Sequence, residues 1–122
     1  MTNEEIMAIK NLKVQEIFVY SLIFASSLSI YINKGQIDLI INKENASVTP
    51  KELYNIGKTS TIIVWIASVY FLITNFDSYN KEKTKQTASF LSAAFLAFQA
   101  SSIRLYTVLN NPVDDISSQD IV

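Results

Sequence analysis

Charge is missing from three stretches of this chain, and that absence limits what the chain can become. Seventeen uncharged residues lie between Glu16 and Lys34 (17–33), eighteen between Lys58 and Asp77 (59–76), and eighteen between Lys85 and Arg104 (86–103). A hydrocarbon layer about 30 Å thick is crossed by about 20 mostly apolar helical residues, with a range of about 17–25. A helix of a soluble protein carries a polar face, on which charges recur every turn or two. Three runs of near-equal length at the spanning threshold therefore predict an all-α fold, a three-helix transmembrane bundle whose long helices extend beyond the bilayer. The spans fall at about 15–33, 59–76 and 87–109, within one membrane domain of residues 1–110, followed by an acidic tail at 111–122. The competing reading is a soluble helical oligomer, since Ser and Thr are frequent in the runs and the mean hydropathy is only +0.23. Ser and Thr, however, can bond back to their own helix carbonyls and so tolerate lipid as Lys or Asp does not.

Composition closes many routes to chemistry. With no His and no Cys, a zinc site built on those residues, haem ligation by them, an iron–sulfur cluster, a Ser-His-Asp triad and a Cys nucleophile are excluded. Two glycines, Gly35 and Gly57, are too few for a phosphate-cradling loop. A net charge of −1 argues against nucleic acid as a partner. No pair of carboxylates lies inside a run, so a proton relay lacks its groups, and the acids elsewhere show no calcium-loop spacing. We expect no enzyme, no cofactor, no metal and no small-molecule substrate. Nine of the ten basic residues are Lys, a bacterial style of usage.

Helix boundaries follow from capping signals. "MTNEEI" offers Thr2 as an N-cap with Glu5 three residues on, a capping box. The first helix should run to about Asn33 and stop near Gly35. Its acidic, polar start does not read as a cleaved signal peptide, so the first run should remain in the mature protein. In "SVTPKELYNIGK", Thr49 caps, Pro50 takes the first helical position and Glu52 completes a box, giving a helix to about Phe76. The third helix should begin near Asn80, carry Lys81, Lys83 and Lys85 in its first turns, and end at "NNP". Between the first two helices, "QIDLIINKEN" reads either as a short amphipathic turn on the membrane surface or as a short strand.

On the third helix, Ser89, Ala93, Ala97 and Ser101 recur every four residues and, with Ala100, form one stripe opposite Leu91, Phe95, Phe98 and Leu105. In lipid, helices associate where small side chains let backbones come close. The stripe is therefore the expected contact face, and a shorter echo at Ser21, Ala25 and Ser29 places the first helix against the third. The alternative is a homo-oligomeric seam between copies of the third helix. Arg104 continues the stripe near the helix end, where it either snorkels to headgroups or pairs with Asp38, Asp114 or Asp115. Gln99, the one side-chain amide deep in this helix, is expected to bond across helices.

The side holding Lys10, Lys13, Lys81, Lys83 and Lys85 balances the side holding Lys34, Lys43, Lys51, Lys58 and Arg104. The dense Lys cluster between the last two spans tips the expected orientation to a cytoplasmic N-terminus in the cell membrane. The segment "PKELYNIGKTSTIIVWIASVYFLITNFDSYNKEK" and the small-residue helix after it resemble small uncharacterised multi-span proteins of low-GC Gram-positive bacteria. That resemblance implies a multi-pass helical membrane protein and brings no activity or site residues. Three spans in a short chain are also similar to one class of phage holins, which commonly end in a basic tail, whereas Asp114, Asp115 and Asp120 make this one acidic. The expected function is helix–helix association, as a self-assembling or accessory subunit. A small pore or transport protein, with Ser26, Ser27, Ser92 and Gln99 lining water, is the alternative.

Overall fold

The computed structural model describes residues 1–111 and is all-α. Helix α1 spans Asn3–Asn42, α2 spans Pro50–Lys81 and α3 spans Lys85–Asn110, with one 3-10 turn at Lys43–Asn45. All three helices are long and apolar enough to cross a membrane. The acidic tail beyond residue 111 lies outside the described residues.

Capping explains each start. Thr2 Oγ1 accepts from the Glu5 N–H at 3.1 Å while the Glu5 carboxylate accepts from the Thr2 N–H at 3.2 Å, a complete box. Thr49 accepts from the Glu52 N–H at 3.2 Å ahead of Pro50, but only this half of the expected box forms among the described residues. The third helix starts five residues later than expected. Glu82 turns extended and ends α2, Thr84 caps α3 in a box with Thr87, and only Lys85 of the Lys cluster falls in α3. Lys81 instead closes α2 and pairs with Asp77 at 3.1 Å, where a cation suits the helix dipole.

The first helix also runs past its predicted stop. Gly35 keeps a helical φ and is buried, and a Cβ there would lie 2.6 Å from Leu53 Cδ2 and 3.2 Å from Val48 Cγ2. Close approach of α2, not chain termination, is the reason for glycine at this position. "QIDLII" accordingly forms the last turns of α1 rather than a strand. Lys43 then reverses the chain with a positive φ of 48°. The corner is pinned by Asp38, whose carboxylate accepts from the Ser47 N–H at 2.8 Å, from the Ser47 hydroxyl at 2.9 Å and from the Asn42 amide. These bonds, the Asn42 one foremost, hold the Asp38 carboxyl below its usual range.

Packing centres on α2. The covered stripe of α1 holds Phe18, Ser21, Ala25, Leu28, Ile32 and Gly35, in alternating steps of three and four. Leu53, Gly57, Ser60, Val64 and Ala67 form the matching stripe of α2, and Tyr54, Thr61, Trp65, Ser68 and Leu72 form a second beside it. Leu91, Ala94, Phe98, Ser101 and Leu105 form that of α3. A repeat averaging 3.5 residues keeps antiparallel neighbours in contact with a left-handed crossing near 20°. The α1–α2 pairing is antiparallel, as Gly35 meets Leu53 and Phe18 stacks on Tyr70 at 4.1 Å. The α2–α3 pairing is antiparallel too, with Trp65 beside Phe98 at 6.2 Å.

The expected packing of the first helix against the third does not form: both pack on α2 and share no extensive contact with each other among the described residues. The contact face expected for α3 is also displaced. Ser89, Ala93, Ala97 and Ala100 are exposed, and of that stripe only Ser101 is buried. Leu91, Phe98 and Leu105, from the face expected to meet lipid or a bulkier neighbour, are half-buried instead, with Phe98 beside the bulky Trp65 of α2. Of the shorter ladder in α1, Ala25 is buried, Ser21 half-buried and Ser29 exposed.

The two glycines should respond oppositely to substitution. Gly35→Leu should destabilise the protein by about 1–3 kcal/mol through overpacking. Gly57→Ala, whose Cβ would sit 3.6 Å from Ile32 Cδ1 in ordinary contact, should be neutral or stabilising by up to about 1 kcal/mol. Thermal unfolding in detergent reads both. The depressed Asp38 pKa means that its contribution is complete at neutral pH and is lost as pH falls past the ordinary carboxylate range and through the lower folded value. The Ser47 amide resonance should titrate with that midpoint, and should stop titrating there in Asp38→Asn.

Candidate functional site

Two polar features arise from this packing. The first is a seam between α2 and α3. The Ser68 and Ser101 hydroxyls meet at 2.7 Å with both residues buried, and the Trp65 indole N–H donates to Ser102 Oγ at 2.9 Å. Near the end of the bundle the Tyr54 hydroxyl donates to the Val108 carbonyl at 3.2 Å. On the other flank of α2, Ser60 Oγ donates to the Ala25 carbonyl of α1 at 3.1 Å. Side chains as small as Ser and Ala permit this approach, and every buried polar side-chain atom among the described residues has a partner.

The second feature is a cleft. Because α1 and α3 stand apart on either side of α2, a groove opens between them with α2 as its floor. Its larger cavity, about 420 Å³, lies between Asn33 and Gln36 of α1, Gly57 and Ser60 of α2, and Arg104 and Thr107 of α3. A smaller cavity of about 140 Å³ adjoins it deeper along the groove, sharing Ser29, Ser60, Thr61 and Arg104. No carboxylate lines either cavity, and Arg104 is the cation common to both among the described residues.

Most hydroxyls of the cleft are already committed as donors. Ser29 donates to the Ala25 carbonyl at 3.3 Å, Thr61 to Gly57 at 2.8 Å and Thr107 to Ile103 at 2.8 Å, all within their own helices. Ser60 and Tyr54 donate across helices as described. The groups with protons to give are therefore the Arg104 guanidinium and the amides of Asn33, Gln36 and Asn111, which have no side-chain hydrogen-bond partner among the described residues.

Arg104 thus neither packs in the α2–α3 seam nor meets its proposed partner Asp38, whose oxygens serve Asn42 and Ser47. Asp114 and Asp115 lie outside the described residues. Gln99 is exposed and bonds to no other helix among the described residues, contrary to expectation. Sequence reasoning placed Ser101 and Ala25 in helix contacts, where they are, but missed Ser60, Ser68 and Ser102. Small residues at 57, 60 and 67 were the available signal, obscured by the aromatic residues interleaved with them. Asn33 and Gln36, one turn apart at the end of the first run, were equally visible. Comparison with known protein families, with curated proteins and with solved structures returned no match.

Trp65 is the single tryptophan and reports on the seam directly. Ser102→Ala removes its indole acceptor and should change the emission maximum, whereas Ser92→Ala, on the exposed face, should not. In a double-mutant cycle, Ser68→Ala and Ser101→Ala should couple by about 0.6 kcal/mol, the average for interhelical side-chain hydrogen bonds in a membrane protein, and by no more than about 1.7 kcal/mol.

Proposed function

We propose that this chain is a non-enzymatic integral membrane protein with three spans, acting through helix–helix association as a self-assembling or accessory subunit. The observation that carries the membrane reading is an inverted distribution of side chains. Most of the buried side chains are small (Ala25, Ala67, Ala94, Ser60, Ser68 and Ser101, beside Leu53 and Val48), and no large side chain among the described residues is fully buried. Large apolar residues instead face outward, among them Phe24, Ile30, Phe95 and Ile103, each close to half exposed or more. In water such a surface would aggregate. In lipid it is the ordinary outer face, and small residues mark where helices touch.

The association reading rests on the stripe that α3 leaves bare. Ser89, Ala93, Ala97 and Ala100 are covered by neither α1 nor α2. A helix from a second copy is the occupant that requires no further component. The pore reading gains less support, since the Ser26, Ser27 and Ser92 hydroxyls donate to their own helix carbonyls and offer few donors to water.

The protein should stay with membranes through a carbonate wash, and cross-linking in native membranes should capture oligomers. Ala97→Leu should shift the cross-linked species toward monomer without altering thermal unfolding. Ala94→Leu, buried against α2, should lower stability by about 1–3 kcal/mol instead. Release by carbonate overturns the spanning reading. Equal oligomer yield for Ala97→Leu and the parent protein overturns the proposed face.

A further inference from the structure

We propose that the cleft between α1 and α3 binds a phosphate group, with Arg104 as the counter-charge and Asn33 and Gln36 as neutral donors from the opposite wall. Three independent features converge there. The first is electrostatic: among the described residues both adjoining cavities are lined by Arg104 and by no carboxylate, so an anion entering them meets attraction without a competing negative group from those walls. The second is donor supply. The cleft hydroxyls are spent on helix carbonyls, which leaves the guanidinium and the amides of Asn33, Gln36 and Asn111, groups whose N–H bonds can donate to phosphate oxygens. A guanidinium also matches two phosphate oxygens at once, which an ammonium does not.

The third feature is depth. Asn33 is the last residue of the first uncharged run, Gly57 and Ser60 flank the start of the second, and Arg104 closes the third. All three runs end at this cleft, so a chain that spans a bilayer holds it at the level of lipid phosphates. The shared ligand chemistry is a phosphate anion, carried by a phospholipid headgroup or free in solution. The lipid source rests on the membrane reading above, while the free anion does not.

The test uses the full-length protein in detergent micelles, with native mass spectrometry to score retained phosphatidylglycerol and thermal unfolding to score inorganic phosphate. Diacylglycerol with the same chains serves as the uncharged comparison. Phosphatidylglycerol should be retained and diacylglycerol should not. Arg104→Gln and Asn33→Leu should each weaken retention roughly tenfold or more, as loss of a hydrogen bond to a charged group does. Lys83→Gln, on the exposed linker at the other end of the bundle, should leave it unchanged. Displacement of the lipid by inorganic phosphate identifies the free anion as a ligand of the same site, whereas retention in its presence assigns the site to the headgroup. Equal retention of phosphatidylglycerol by Arg104→Gln and the parent, equal retention of diacylglycerol, or no response to either phosphate source overturns the proposal. Release from membranes by carbonate would refute the spanning reading alone, because the inorganic phosphate arm still tests the cleft.

Discussion

The bundle depends on one helix being thin on two sides. Helix α2 presents two adjacent stripes, and each must admit a neighbouring backbone closely enough for hydroxyl and carbonyl groups to meet. Ser60 reaches the Ala25 carbonyl on one flank, and Ser68 reaches Ser101 on the other. Gly35 extends the same logic to the end of α1, where the absence of a side chain seats Leu53 and Val48. Dispersion and short hydrogen bonds, rather than removal of greasy surface from water, are the forces available to such contacts in lipid.

A second consequence of the central helix is the groove. Two partners on adjacent flanks of one helix splay apart unless they also pack on each other, and α1 and α3 share no extensive contact among the described residues. Apolar walls would make that groove a slot for acyl chains. Here one end is polar, yet most of its hydroxyls are turned back to helix carbonyls, which leaves the charge of Arg104 dominant. The groove is thus chemically simpler than its roster of polar residues implies.

Much of the architecture was legible from charge placement and capping chemistry. The number of helices, the Thr2 and Thr49 caps and the end of α3 near Asn110 follow from local rules, and local rules governed them. Gly35 misled because glycine serves two purposes, ending helices and admitting neighbours, and only the position of Leu53 decides between them. Within one chain, the α3 stripe apart from Ser101 does not meet α1 or α2, for a related reason. A ladder of small residues shows that a close approach is possible along it without showing which helix makes one. Trp65 on α2 is bulky, and Phe98, from the opposite face of α3, packs beside it. Arg104 was visible as an oddity from the start, but its companions Asn33 and Gln36 stand some 70 residues earlier and meet it only through tertiary packing.

The two-sided helix also sets an order of events during synthesis. Once α1 and α2 have left the ribosome, their hairpin can close, since no extensive contact of α1 among the described residues waits on α3. At that moment the other flank of α2, with its indole and serine, faces the surroundings unpartnered. The three-residue linker Glu82–Thr84 then delivers α3 directly beside that flank. Assembly is therefore built as a sequence of two neighbouring closures, in which the last helix completes a surface that the first two have already presented.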